Sequence, residues 1–293
     1  MRATTVGFSG SGASRRALRW TVQDCAATGR PLHVLLGPAA GHRDLDAVLG
    51  EELLRVAGRE PRFDVTLTTD DTARALLVAA ADSTQLVLGC GRDVAPLGPG
   101  TGPVLGAVLP RCPVPVVLVG PQAVLTPARR VVVATDATDT ADATGTADAA
   151  DTATDGAVAA WAADRELPLR LLTTWRARPP EPGSAEAERR HAHLLAAGRH
   201  HAARARLSAA THRPVHADVV EGPLADVVPR RLSVGDLLVV AAGAVPDLPV
   251  RTLRSPVVLV PPPSTRPPVP TGEPGDRQRV QVPPVGHPAL TGA

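Results

Sequence analysis

The chain repeats itself, and the repeat limits what it can fold into. A pattern of apolar strands and helices ends at CPVPVVLVGP (112–121), restarts at ARRVVVATDAT (128–138) and ends again at SPVVLVP (255–261). RPLHVLL (30–36) and LPLRLLT (167–173) correspond directly. Self-similarity on this scale means two copies of one folding unit. They meet near residue 125, with TPAR (126–129) as the link. The sequence therefore divides into residues 1–124, residues 125–262 and a tail, 263–293. Two segments lie outside the repeat. Residues 137–155 are almost wholly Ala, Thr, Asp and Gly, and the tail is Pro-rich with little apolar content. Both compositions bury too little apolar surface to order themselves, so a mobile surface loop and a disordered tail are expected.

The first copy alternates strand and helix. ATTVGF (3–8) is a strand, and SGSGAS leads into the helix RRALRWTVQDCAATG (15–29). Ser11 or Ser14 can cap that helix by accepting from its free amides, and Gly29 can end it in a left-handed conformation. Leu18, Val22 and Cys25 fall at i, i+4 and i+7, one apolar stripe. PLHVLLG (31–37) is a second strand, so this stretch is a βαβ unit, whose crossover is right-handed. Residues 44–57 read as a helix, FDVTLT (63–68) as a strand, and DTARALLVAAA (71–81) as a helix capped by Asp70 or Asp71. QLVLG (85–89) is an apolar run bounded by glycine, as a strand buried on both faces should be. Pro113 and Pro115, which cannot donate to a ladder, suit the start of an outer strand. The second copy follows the same order through a long helix at 184–210, VHADVVEG (215–222), a short helix at 223–232 and DLLVVAAG (236–243). The fold class is α/β, with two tandem open, mostly parallel five-stranded sheets and helices on both faces. Each copy alone leaves an apolar last strand exposed. The copies are therefore expected to pack as an intramolecular pseudo-dimer through 115–119 and 255–260.

Composition excludes several function classes. Lys, Ile, Asn and Tyr are absent, so all 31 basic residues are Arg. Those four residues share AT-rich codons, and their absence points to a GC-rich genome. Against 29 acidic residues the net charge is +2, too balanced for a nucleic-acid protein. The three cysteines (Cys25, Cys90, Cys112) have no metal-ligand spacing and fit reduced thiols. No signal peptide is expected before the first strand, no apolar run approaches the roughly 20 residues of a membrane span, and a cytoplasmic location follows. No nucleophile elbow, triad order or carboxylate pair stands out, so no catalytic residue is assigned and enzymatic activity is not expected.

The candidate binding stretch follows the fourth strand. Gly89, Gly91, Gly98, Gly100 and Gly102 let backbone approach a ligand or turn sharply, and a loop leaving the carboxyl end of a parallel strand is where open α/β sheets bind ligands. The bland reading is a plain flexible connection. SGSGAS, with Gly10 and Gly12, lacks the third glycine of a dinucleotide fingerprint, and PLHVLLGP lacks the acid that would hold a ribose. The histidines of the long helix (His191, His193, His200, His201) lie among arginines and read as a solvated basic face, not a metal site. Trp20 and Trp161 sit near corresponding helix ends and read as core or interface packing. Cys90 reads as a buried, inert thiol.

VGFSGSGASRRALRW, PLHVLL, QLVLGCGR and CPVPVVLV, with VVVATDAT, PLRLLTTW, VVEGPLADVV, DLLVVAAG and SPVVLV in the second copy, resemble tandem universal stress protein domains over most of residues 3–261. With the codon bias, the resemblance points to a GC-rich actinobacterium. It implies a Rossmann-like fold of the adenine nucleotide alpha hydrolase kind, and pairing through the last strand within a chain or in a homodimer. It also implies a non-enzymatic role in stress or dormancy through conformational or partner interactions. Some members bind ATP or AMP, using an acid after the first strand and a loop G-x2-G-x9-G-[ST] after the fourth. Carried onto this chain, the pattern selects Ser9, Gly10, Ser11, Gly89, Gly91, Arg92 and Gly102 in the first copy and Asp136 in the second. The first copy has Ser9 in place of the acid, Arg92 in place of the second glycine and Pro103 in place of Ser/Thr. The second keeps the acid, Asp136, but Ala241 and Ala244 replace glycines and the loop is too short. Nucleotide binding is expected to be weakened or lost. The alternative is an ATP or AMP sensor, with slow hydrolysis, built on the first-copy loop. A third reading is a scaffold whose Pro-rich tail docks an unidentified protein partner.

Overall fold

The computed structural model describes residues 2–38, 40, 42–56, 59, 61–68, 71–91, 102–137, 156–163, 165–177, 185–242, 248–261 and 279–280. β1 (Ala3–Phe8), β2 (Leu32–Leu36), β3 (Phe63–Leu67), β4 (Ser83–Gly89) and β5 (Val116–Val119) are the strands of the first copy. They alternate with α1 (Gly12–Thr28), α2 (His42–Arg55), α3 (Thr72–Ala81) and α4 (Pro103–Val108). The second copy comprises β6 (Arg130–Asp136), α5 (156–163), β7 (Leu169–Trp175), α6 (Ala185–Thr211), β8 (Val215–Glu221), α7 (Leu224–Arg231), β9 (Asp236–Ala241) and β10 (Val257–Val260). Ser11 is the N-cap of α1 and Gly29 closes it with a φ of 68°. Asp71 caps α3 by accepting from the Ala73 amide. The second helix thus starts and ends about two residues earlier than its sequence pattern, as helix ends commonly do.

Strand order is the same in each half. The first runs β3-β2-β1-β4-β5 and the second β8-β7-β6-β9-β10, every neighbouring pair parallel. The two five-stranded arrays are not separate sheets. β5 and β10 pair antiparallel, with Leu118 opposite Val257, Val117 opposite Val258 and Val116 opposite Leu259. β5 is the outer strand of its own array, as its prolines suggested, and β10 covers it, so that it lies mid-sheet between β4 and β10. Pro113 and Pro115 precede the ladder, and the Pro115 carbonyl still accepts from the Leu86 amide. All four residues of β5 and of β10 are buried. An uncovered edge of that composition would be an aggregation template, and each copy covers the other's.

Alternation along the seam divides the interior into two layers. Val117, Val119, Val258 and Val260 point to one face, beneath α1, α2, α5 and α6, with Leu18, Trp20, Leu49, Trp161 and Leu207. Val116, Leu118, Val257 and Leu259 point to the other, beneath α3, α4 and α7, with Leu76, Val108 and Val228. Both cores contain residues of both copies and run unbroken across the seam. With so few aromatics, the layers are filled by Leu and Val, each fully buried side chain worth about 1.5–3 kcal/mol.

The two low-complexity segments fall mostly outside the described residues. Ala137 is an exception to the expected surface loop: it is buried, and its amide donates to the Thr174 carbonyl, so it belongs with β6. In the tail, β11 (Arg279–Val280) pairs antiparallel with β3, which places these two residues at the sheet edge, not in a disordered tail.

Candidate functional site

The carboxyl ends of β1 and β4 meet the start of α1. Ser9 follows β1, Gly10 turns the chain with a φ of 76°, and Ser11 caps the helix. That φ lies in the left-handed region, where residues with a Cβ are strained. The hydroxyls of Ser9, Ser11 and Ser14 form a small network. Ser9 Oγ donates to Ser11 Oγ at 3.0 Å, and Ser11 Oγ accepts from the Ser14 amide at 3.2 Å. Arg15 folds back, donating through Nε to the Gly10 carbonyl and through a terminal nitrogen to Asp44 at 2.9 Å.

Gly89, the last residue of β4, belongs to this junction for a steric reason. A Cβ there would stand 2.1 Å from the carbonyl oxygen of Ala13 and 2.8 Å from the amide nitrogen of Ser14. The glycine lets the first turn of α1 lie directly on β4, so packing alone accounts for it. Gly91 lies just beyond, partly buried. Arg92 lies outside the described residues. Gly102 resumes as the N-cap of α4, with Pro103 at the first helical position and no side-chain cap.

Asp136 does not join this group. It ends β6, and in the sheet β4, β5, β10 and β9 lie between β1 and β6. Five strand spacings alone separate them by about 24 Å, and because the halves join antiparallel Asp136 also lies at the opposite end of the strands. There it faces Arg176 at 3.9 Å. The acid and the glycine loop therefore sit in different halves and do not make one site. The described residues of the first half supply hydroxyls and a helix start, with Ser9 in place of the acid and Pro103 in place of a hydroxyl.

The long helix α6 corrects the reading of its histidines as uniformly solvated. His200 is buried, 5 % exposed, and its Nδ1 lies 2.8 Å from the Thr173 hydroxyl. Burial pushes its pKa below the ordinary value, and His201 and Arg204 push the same way against Asp218. His193 packs its ring on Trp175 at 5.2 Å. Among the described residues no group of three His, Cys, Asp or Glu could hold a metal ion, and no helix is long and apolar enough to cross a membrane.

All three thiols are buried, and burial pushes Cys25 and Cys90 up to about 12 and Cys112 up to about 11. A thiol reacts as its thiolate. Ellman's reagent at pH 8 is therefore expected to modify none of the three in the native protein within minutes and all three in guanidinium. Rapid native labelling of Cys90 would show that the region after β4 opens.

Sequence reasoning missed a polar group buried between the two copies. Asp24 of α1, Gln85 of β4, and Trp161 and Arg165 of the second copy form one buried hydrogen-bonded cluster. One signal was visible: Gln85 begins an otherwise apolar buried strand, and a buried amide needs partners.

No model of a known protein family matches the sequence, and no curated protein matches it. Solved structures do. A universal stress protein from Archaeoglobus fulgidus superposes with a TM-score of 0.50 at 17% identity, over 88% of this chain and 98% of that one. A protein of unknown function from Pseudomonas aeruginosa gives 0.52 at 15% identity, over 90% and 93%. A second P. aeruginosa protein, provisionally assigned to the universal stress proteins, gives 0.51 at 16% identity, over 90% and 94%. At such identities the likeness concerns backbone architecture, and what it establishes is that this chain has the α/β fold found in universal stress proteins.

Proposed function

We propose that the chain is a tandem universal stress protein, with units at 1–124 and 125–262, that acts in the cytoplasm without enzymatic activity, through conformational change and protein partners. The repeated strand order joined antiparallel at β5 and β10 supports this reading. The observation that carries the loss of nucleotide control is the division of the site. Asp136 lies in one half and the Gly89–Gly102 loop in the other, with Ser9 and Pro103 where an acid and a hydroxyl would be needed.

The test is to denature natively purified protein, identify any released nucleotide by mass spectrometry, and titrate ATP and AMP calorimetrically. No released nucleotide and no heat of binding at millimolar ATP are expected. The second reading is an ATP or AMP sensor in the first unit. The Ser9, Ser11 and Ser14 hydroxyls at the start of α1 favour it. Released adenine nucleotide, lost in Arg92→Ala, would establish that reading instead. The tail-scaffold reading is tested by removing residues 263–293: unchanged partners in a lysate pull-down exclude it.

A further inference from the structure

Asp24 and Arg165 are an ion pair in the shared core. Asp24 is 4 % exposed and Arg165 6 %. Both terminal nitrogens of Arg165 donate to the Asp24 carboxylate, one of them to Oδ2 at 3.0 Å. That nitrogen also donates to Gln85 Oε1 at 2.8 Å, while Gln85 Nε2 donates to Asp24 Oδ2 at 3.1 Å. Trp161 Nε1 donates to Gln85 Oε1 at 3.2 Å, and the guanidinium lies 4.2 Å above the Trp161 ring.

Aligned on Trp20 and Trp161, the two ions occupy corresponding places in the repeat, the second copy being four residues shorter between its tryptophan and its next strand. Asp24 stands four residues after Trp20, in the helix that follows β1. Arg165 stands four residues after Trp161, just past the helix that follows β6. When like units pair about a two-fold axis, a position that touches its own counterpart lies beside that axis. Two first units paired in this way would bring Asp24 against Asp24. Two second units would bring Arg165 against Arg165. Each places like charges in a dry interior, where neither is compensated. Only a first unit with a second unit places opposite charges there.

We propose that Asp24 and Arg165 select the partner across the β5–β10 seam, so that a first unit accepts a second unit and rejects another copy of itself. The apolar seam cannot make this choice. VVLV at 116–119 and VVLV at 257–260 are the same sequence, and either strand matches itself as well as it matches the other. The inference rests on the paired halves, not on a role in stress.

The test uses full-length chains. Asp24→Arg puts arginine at both positions and Arg165→Asp puts aspartate at both. Each alone is expected to melt at least about 10 °C below the native protein. Denatured, mixed and refolded together, the two variants are expected to give a 1:1 heterodimer by native mass spectrometry. In it the halves are exchanged and both ion pairs are of opposite sign. The single chain carrying both changes conserves the volume at the site, and Trp20 stands four residues before the new arginine. It is expected to be monomeric and to regain at least half of the lost melting temperature. If either single variant fails to fold alone, the mixture and the doubly changed chain still report. Single variants that melt like the native protein overturn the proposal. So does a mixture that yields only separate monomers, because the pair would then stabilise without choosing a partner.

Discussion

Gly89→Ala is expected to destabilise the protein by at least about 3 kcal/mol, the upper range for forcing extra atoms into a packed site. For a chain of this size that lowers the melting temperature by roughly 6–12 °C. The added Cβ would meet backbone, the Ala13 carbonyl at 2.1 Å, not the end of a side chain that can rotate away. Relief requires moving the first turn of α1 off β4, which disturbs the Ser11 cap and the fully buried Ala17 and Leu18 behind it. Gly50, inside α2, provides the control. A Cβ there meets nothing within 4 Å and its φ is ordinary, so Gly50→Ala is expected to stabilise by about 0.5–1 kcal/mol. Calorimetric melting of the two variants checks both signs. A Gly89→Ala protein that melts like the native one would show that α1 does not rest on β4. It would return Gly89 to the role of ligand loop. Any loss of nucleotide affinity in Gly89→Ala must be read against this packing cost, which is why Arg92 is the better probe of binding.

Gly89 also shows what the sequence could and could not convey. The strands and the repeat were legible because buried parallel strands must be apolar throughout, and QLVLG, PLHVLL and DLLVVA announce themselves. The covering of one VVLV by the other followed from the cost of an apolar edge. The reason for a glycine was not legible. A ligand loop and a helix resting on a strand demand the same missing Cβ, and only the position of Ala13 distinguishes them. The same holds for His200. Its neighbours in sequence are arginines and histidines, but helical periodicity turns this one inward to Thr173. Asp24 was hidden in another way. It sits beside the apolar stripe of α1, and its partner is 141 residues away in sequence. No local pattern carries a contact of that range. The site divided for a related reason: Asp136 and the glycine loop match halves of one motif, and only the sheet order shows how far apart they lie.

Arg165→Met should cost about 3–5 kcal/mol, because it removes one partner from a buried pair and leaves the other uncompensated. Methionine fills much of the space of the arginine stem, so the loss is chiefly electrostatic. Asp24 would keep only the Gln85 amide as a donor among the contacts of this cluster, and Gln85 Oε1 would keep only Trp161. The comparison is Arg15, whose pair with Asp44 has both side chains more than 40 % exposed. Water replaces that contact readily, and Arg15→Met is expected to cost at most about 1 kcal/mol. Because Arg165 belongs to the second half while Asp24 and Gln85 belong to the first, its loss weakens the grip between the halves more than either half itself. The calorimetric transition of Arg165→Met should therefore both fall by about 6–20 °C and broaden, as the halves begin to melt separately. A drop no greater than that of Arg15→Met would mean that water reaches the cluster. A large drop with a single sharp transition would mean that the β5–β10 seam alone keeps the halves melting as one.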